Sequence, residues 1–323
     1  MHKYQGNWPL DSLRVFGPVP SRRLGRSLGI NNIPPKICSY SCVYCQLGRS
    51  LSMINHREEF YDPKELGKEV LESVQSLMQQ NEKIDYLTIV PDGEPTLDQN
   101  LGRLIDFLKK SGGKVAVITN STLIDDPKVR QDLSKADLVS IKVDTIDQKT
   151  WKEIDRPYGR IDLQNILSGI KTFAGEFDGE ILTETMLVKD LNDDLENSQK
   201  TAAYLASINP DKVFLSIPTR PPAENWVSPP TAEHLNNAFQ IFQDAGLNVE
   251  YLIGYEGNEF AFTGNIAQDI LSITSVHPMR EDAVTEFLLR AGGDMDIIEK
   301  MLLEGSLVVS EYQNKLFYLR KLN

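Results

Sequence analysis

The chain alternates short β-branched or apolar runs with longer stretches whose apolar residues recur at helical spacing. The runs are Ser27–Ile33, Tyr86–Pro91, Lys114–Asn120, Leu138–Asp144, Gly179–Val188, Asp211–Pro218 and Asn248–Gly254. Between the first two, Pro63–Gln80 places Leu66, Val70, Val74 and Leu77 on one helical face. Leu101–Ser111, Pro127–Lys135, Ile161–Phe177, Asn197–Ile208 and Thr231–Ala245 predict further helices. Strands alternating with helices of about 10–15 residues imply parallel pairing through right-handed crossovers. Six or seven such units predict an α/β fold, either a barrel or partial barrel or a doubly wound open sheet. In a barrel, functional residues collect just past the C-terminal ends of the strands.

The rhythm changes after Gly264. Helices are expected at Asn265–Ser272, Arg280–Ala291 and Met295–Glu304, then two alternating strands, Leu307–Tyr312 and Lys315–Leu322, joined at Gln313-Asn314. That order is winged-helix-like, and it divides the chain into 1–264 and a small C-terminal domain, 265–323. Residues 275–323 hold six Lys or Arg against eight Asp or Glu, and the helix that would enter a groove offers only Lys300. Such a helix repels phosphate, so a DNA-reading role is disfavoured and a protein-contact or structural wing preferred.

At 323 residues with 41% hydrophobic and 25% charged residues, the composition is that of a globular protein with one large domain and a small appendage. Residues 1–12 contain no apolar run suited to a signal peptide, and no stretch approaches the ~18 apolar residues of a membrane span. A cytoplasmic protein is the expectation. Net charge is −12, yet residues 1–50 carry seven Lys or Arg and one acid. This basic lead-in either attracts an anionic substrate, RNA or a phosphorylated metabolite, or pairs with the acidic body.

The only three cysteines, Cys38, Cys42 and Cys45, lie within eight residues as C-x3-C-x2-C. An odd number so tightly spaced does not suit a disulfide framework. Three thiolates can ligate three irons of a [4Fe-4S] cluster and leave the fourth iron open. Structural zinc, with His56 completing a Cys3His set, is the alternative, but zinc sites commonly bring two ligand pairs.

The segment Cys38-Ser-Tyr-Ser-Cys42-Val-Tyr44-Cys45 resembles the signature of the radical S-adenosylmethionine (SAM) superfamily, with Tyr44 in its aromatic position. The resemblance implies a partial parallel barrel of (βα)6 type and a cluster whose open iron chelates SAM. Reductive cleavage of SAM then gives a 5′-deoxyadenosyl radical that abstracts hydrogen from a substrate. A one-electron reductant of ferredoxin or flavodoxin type is implied as partner. Asp92-Gly93-Glu94 resembles the family's SAM-amine-binding Gly-Gly-Glu edge, with Asp in the first place. Asn120-Ser121, Lys142, Asp144 and Glu184 resemble its ribose and carboxylate contacts; as plain structure they would be a helix cap and strand residues.

Residues 16–29, Asp155-Arg156-Pro157-Tyr158 and the Pro218–Val227 stretch are similar to a subgroup related to the synthases of the tricyclic wyosine base of tRNA. Those enzymes carry a second cluster, for which this chain has no fourth cysteine. The similarity covers roughly residues 14–260 and makes Arg22, Arg23, Arg156 and Arg220 candidate contacts for an RNA base or other anionic substrate. Tyr4, Tyr158, Lys142 and Tyr255 are candidate proton or hydrogen donors. The competing function is a redox-sensing iron–sulfur regulator with the winged tail as output.

Overall fold

A computed structural model of the chain describes residues 14–253, 260, 262, 264–276 and 278–321, with residues 275 and 276 described by backbone alone. The chain opens with β1 (Val15–Ser21) running antiparallel to β2 (Gly25–Ile30). A long loop follows, pinned by two short parallel strands, β3 (Ile37–Cys38) and β4 (Ser52–Met53). Then come α1 (Pro63–Gln79), β5 (Tyr86–Ile89), α2 (Leu101–Leu108), β6 (Val115–Thr119), α3 (Pro127–Leu133) and β7 (Leu138–Lys142). The unit continues with α4 (Gln148–Ile154), α5 (Leu163–Glu176), β8 (Glu180–Met186), α6 (Leu195–Ile208), β9 (Lys212–Ser216), α7 (Ala232–Asp244) and β10 (Val249–Leu252).

One eight-stranded sheet runs β1-β2-β5-β6-β7-β8-β9-β10, parallel everywhere except at β1. It is a curled half-barrel, which decides between the two sheets that spacing allows. Strand alternation builds its two faces. Val115, Val117, Val139, Ile141, Val213 and Leu215 pack against the helices. Their alternates Ala116, Leu138, Leu182 and Phe214 form a separate apolar cluster with Leu24. Further along the same strands Lys142, Glu184 and Ser216 share that second face, joined to one another by hydrogen bonds. The inside of the half-barrel is thus plugged by apolar side chains at one end and polar at the other, where the strands exit. Asp62, Asp126, Asp147, Asp162 and Asp194 cap helix N-termini, so part of the acidic excess serves helix starts.

The tail comprises α8 (Ile266–Val276), β11 (Met279–Arg280), α9 (Glu281–Ala291), α10 (Met295–Leu303), β12 (Leu307–Tyr312) and β13 (Lys315–Arg320). The strand Met279–Arg280, unforeseen in the sequence, joins the hairpin in a sheet of order β11-β13-β12. An apolar cluster around Ile270, Val284, Phe287, Ile298 and Tyr318 supports it, with Val19 of β1 packed alongside. Tyr312 Oη donates to the Pro218 carbonyl at 3.0 Å, tying the hairpin to the loop after β9.

The basic lead-in proves to be largely structural. Arg14, Arg23, Arg26 and Arg49 pair with Glu69, Glu184, Glu82 and Glu224. No helix among the described residues is long and apolar enough to cross a membrane.

Candidate radical SAM site

Cys38 ends β3, and the loop beyond it is held from both sides. The Ser41 and Val43 N–H groups donate to the Asp155 and Ile154 carbonyls at 3.0 and 2.9 Å, and Tyr158 N–H donates to the Ser39 carbonyl at 2.9 Å. Beneath it, Trp151 Nε1 donates to Tyr40 Oη at 2.8 Å, the two rings meeting edge to face. Three free, half-buried thiols are thereby presented on one anchored turn.

Burial pushes the Cys38 thiol up to about 12, with Glu94 adding to the effect, and it raises Cys42 and Cys45 as well. The Cys42 Sγ–H lies 3.3 Å from Asp155 Oδ1. These thiols hold their protons unless a metal displaces them. His56, the fourth ligand of a zinc alternative, is exposed and bonded to Glu58 Oε1 at 2.8 Å. Among the described residues, no three His, Cys, Asp or Glu side chains are gathered as a single ion needs. A cubane takes each thiol on a different iron, so the three need not meet at one ion.

The Asp92–Glu94 turn leaves β5 and is stitched to the cysteine loop. Lys36 N–H donates to the Asp92 carbonyl at 2.6 Å, and Glu94 N–H to the Ile37 carbonyl at 3.1 Å. Gly93 permits this approach: a Cβ there would stand 1.9 Å from the Ile37 carbonyl oxygen. Glu94 is buried and accepts from Thr96 N, Thr96 Oγ1, Thr119 Oγ1 and Asn120 N at 2.6–3.0 Å. Its carboxylate therefore fastens the turn to the end of β6, a part the sequence did not reveal. Asn120 amide is likewise engaged, donating to Ser39 Oγ at 3.1 Å and approaching Cys38 Sγ at 3.5 Å. Ser121 Oγ is buried without a partner.

Asp92 differs from Glu94. Its Oδ1 is buried with no hydrogen-bond partner, and burial pushes its carboxyl up to about 7 against the pull of Arg320 and Lys36. A buried acceptor left empty is costly, and an ammonium group satisfies it. The thiol triplet, the glycine cradle and this acceptor fit a [4Fe-4S] cluster and the amine of SAM. A raised carboxyl pKa means that this residue's stabilisation is greatest below 3.8 and is lost as pH rises through about 7. Asp92→Asn is accordingly expected to melt higher than the parent at pH 8, the gap shrinking toward pH 4, and to bind SAM more weakly. Calorimetric melting and SAM titration of the same samples check both; a variant that melts lower at pH 8 contradicts the assignment.

On the opposite rim, Glu184 accepts from Lys142 Nζ at 3.0 Å and Ser216 Oγ at 2.9 Å and pairs with Arg23. Burial alone would raise its carboxyl, but Lys142 and Arg23 hold it down to about 2. Lys142 also stands 3.6 Å from Asp144 Oδ1 and 4.8 Å over the Tyr44 ring. Tyr44 Oη donates to Asp144 and contacts Asp155 at 3.2 Å. Asp144 is anchored in turn by Met186 N–H at 2.7 Å. Tyr44, Lys142, Asp144 and Glu184 thus form one largely buried network reaching Cys42 through Asp155.

Of the arginines, Arg23 serves Glu184, and Arg156 pairs with Glu224, which also takes a two-pronged contact from Arg49 at 2.8 and 3.0 Å. Arg220 donates to Gln46 at 2.7 Å, beside the cysteine loop, and Arg22 lies on the surface. Asp155 and Glu224 stand beside arginines in two of the stretches named above, and their roles appear only in contacts made by the fold. Tyr158 is exposed on the outer side of the loop; Tyr4 and Tyr255 lie outside the described residues.

Comparison with known proteins finds a family, a relative and similar folds. The family model described as the radical SAM superfamily matches residues 32–202. The UPF0026 protein MJ1312 of Methanocaldococcus jannaschii is 48% identical over 310 residues, covering 95% of this chain and 96% of that protein. A radical SAM methyltransferase from Sphaerobacter thermophilus superposes on 70% of this chain and 66% of its own, with a TM-score of 0.55 and 16% identity. TYW1 with a lysine-pyruvate adduct aligns with 90% of this chain and 79% of its own, at a TM-score of 0.44 and 14% identity. The chain belongs to the radical SAM superfamily of enzymes, with a [4Fe-4S] cluster and SAM as its cofactors.

Proposed function

We propose that this enzyme cleaves SAM reductively and uses the product to take a hydrogen atom from an anionic substrate at the exit end of the half-barrel. When bound, the cluster and SAM supply a 5′-deoxyadenosyl radical. The chain's own part is binding, orientation and exclusion of water. Cys38, Cys42 and Cys45 hold the cluster, Asp92 accepts the SAM ammonium, and Glu94 keeps the turn beneath it in place. Lys142 and Glu184, locked by Arg23 and Ser216, offer fixed charges above the apolar plug. The observation that carries the reading is the pair of backbone hydrogen bonds joining the Asp92–Glu94 turn to the cysteine loop.

An anionic substrate, RNA base or charged small molecule, is supported by Arg220 past the end of β9. The chain from residue 265 is, in this reading, a winged-helix-like unit that contacts protein, consistent with its acidic α10. Three free thiols suit a reducing cytoplasm. The substrate class can be found by offering deuterated tRNA or a deuterated pool of anionic metabolites to the reduced enzyme with SAM. Deuterium in 5′-deoxyadenosine marks the pool that holds the substrate. Transfer from neither, in an enzyme that cleaves SAM, removes the anionic-substrate assignment.

A further inference from the structure

Lys36 stands where the two halves of the site are sewn together. Its N–H donates to the Asp92 carbonyl at 2.6 Å, and its own carbonyl accepts from Leu51 N–H at 3.1 Å and Ser52 N–H at 3.2 Å. One residue thus joins the Asp92–Glu94 turn to both ends of the cysteine loop. To do so it takes a left-handed backbone conformation, with φ of 60°. Glycine adopts that conformation freely, whereas a residue with a side chain is strained in it. Strain of this kind persists where a side chain has a use that glycine cannot serve.

The Lys36 side chain lies over the turn that closes the thiol triplet. A Cβ on Gly48 would stand 3.6 Å from Lys36 Nζ, and Gly48 N–H donates to the Cys45 carbonyl at 3.0 Å. The residue is half-buried, and its ammonium enters no ion pair or hydrogen bond among the described residues. Its charge is felt on both sides of the site. Burial raises the Cys45 thiol and the Asp92 carboxyl, and Lys36 pulls both down, beside Leu47 N–H at the thiol and Arg320 at the carboxyl. Acids otherwise crowd the thiols: Glu94 bears on Cys38, Asp155 and Asp144 on Cys42, and Asp92 on Cys45. Lys142, a second cation acting on Cys45, is committed to Glu184 and Asp144.

We infer that Lys36 tunes the reduction potential of the cluster, its unpaired ammonium offsetting the negative charge that an added electron brings to a site crowded with acids. The inference rests on the radical SAM reading and adds a residue that sets how readily the cluster is reduced. Reduction adds one electron and moves no atom, so the reduced cluster is more negative than the oxidised one by one charge. A cation fixed beside one of its thiolates therefore favours the reduced form. Half-burial shields that attraction from the salt screening that a surface charge would meet. The backbone of Lys36 holds the loop whatever its side chain is, so the two roles can be separated by substitution.

The test compares Lys36→Gly, Lys36→Met and Lys36→Arg with the parent, each loaded with the cluster, by redox titration followed by electron paramagnetic resonance. Lys36→Gly removes the charge and relieves the left-handed strain, so its metal-free chain should melt close to the parent or higher. Its cluster should nevertheless be harder to reduce. At a fixed potential the reduced-to-oxidised ratio should fall about tenfold, a shift of about 59 mV for one electron. Lys36→Met should show the same fall, and Lys36→Arg should keep the parent's potential. A parent-like potential in the glycine and methionine variants overturns the proposal. So does an equal fall in Lys36→Arg, which would assign the effect to packing and not to charge. If Lys36→Gly takes up no cluster, the methionine and arginine variants decide by the same readings. A parent that loads no four-iron cluster defeats the radical SAM reading and this inference with it, whereas a loaded parent whose variants share its potential defeats the inference alone.

Discussion

Replacing Cys42 with Ala is expected to remove the visible iron–sulfur absorbance completely and to bring SAM cleavage to the background of enzyme-free controls. Two thiols cannot retain a cluster built for three, and no other cysteine exists to substitute. Folding alone does not explain such a loss, because Cys42→Ser keeps a donor for Asp155 Oδ1, which the thiol now contacts at 3.3 Å. The serine variant should melt close to the parent when both lack iron and should still fail to take up the cluster. The buried thiols hold their protons in the metal-free chain, so reconstitution of the parent should also release protons into a weakly buffered solution. A Cys42→Ala protein with a full iron and sulfide complement would take Cys42 out of the ligand set.

Lys142→Met should be the most damaging change away from the cysteines. It leaves the buried Asp144 without its ammonium and Glu184 with Arg23 alone, and breaking a buried pair from one side costs about 3–5 kcal/mol. The Glu184 carboxyl gauges all of its partners together, Lys142, Arg23 and Ser216, of which the variant removes the first. Held at about 2 against an ordinary 4.5, it contributes roughly 3 kcal/mol at neutral pH by linkage. A depressed acid stabilises above its unfolded value and loses that contribution as pH falls through the folded one. Urea unfolding should therefore show the largest deficit for Lys142→Met above pH 5, closing as pH falls toward 2. Lys142→Arg, which keeps the charge, should recover a good part of it. A constant deficit from pH 7 to pH 3 would show that Lys142 acts through packing alone.

Period and spacing made the parallel strands and the cysteine loop legible, since β5 to β10 follow runs of alternating or continuous apolar residues. Strand β1 was not legible because Gly17, Pro18 and Pro20 argue against a strand. It survives as an edge strand, where missing N–H donors are tolerated. Helix α4 is as short as α3 but lacks the proline at its first turn that marks α3, and its Asp147 cap was the available clue. The site divides the same way. Residues with a motif, Cys38, Cys42, Cys45, Asp92 and Glu94, could be named, and the fold brings them together. Asp155 and Glu224 act through contacts 113 and 175 residues apart in sequence, which no local pattern encodes. The charge of the lead-in was visible, but its pairing with Glu69, Glu82, Glu184 and Glu224 depended on the fold.

The most direct measurement is anaerobic incubation of the cluster-loaded protein with dithionite and SAM, followed by quantitation of 5′-deoxyadenosine and methionine. Formation of 5′-deoxyadenosine that requires the loaded cluster and is lost in Cys42→Ala is the predicted result. A protein with four irons and four sulfides per chain that leaves SAM intact, with and without candidate substrates, would contradict the account.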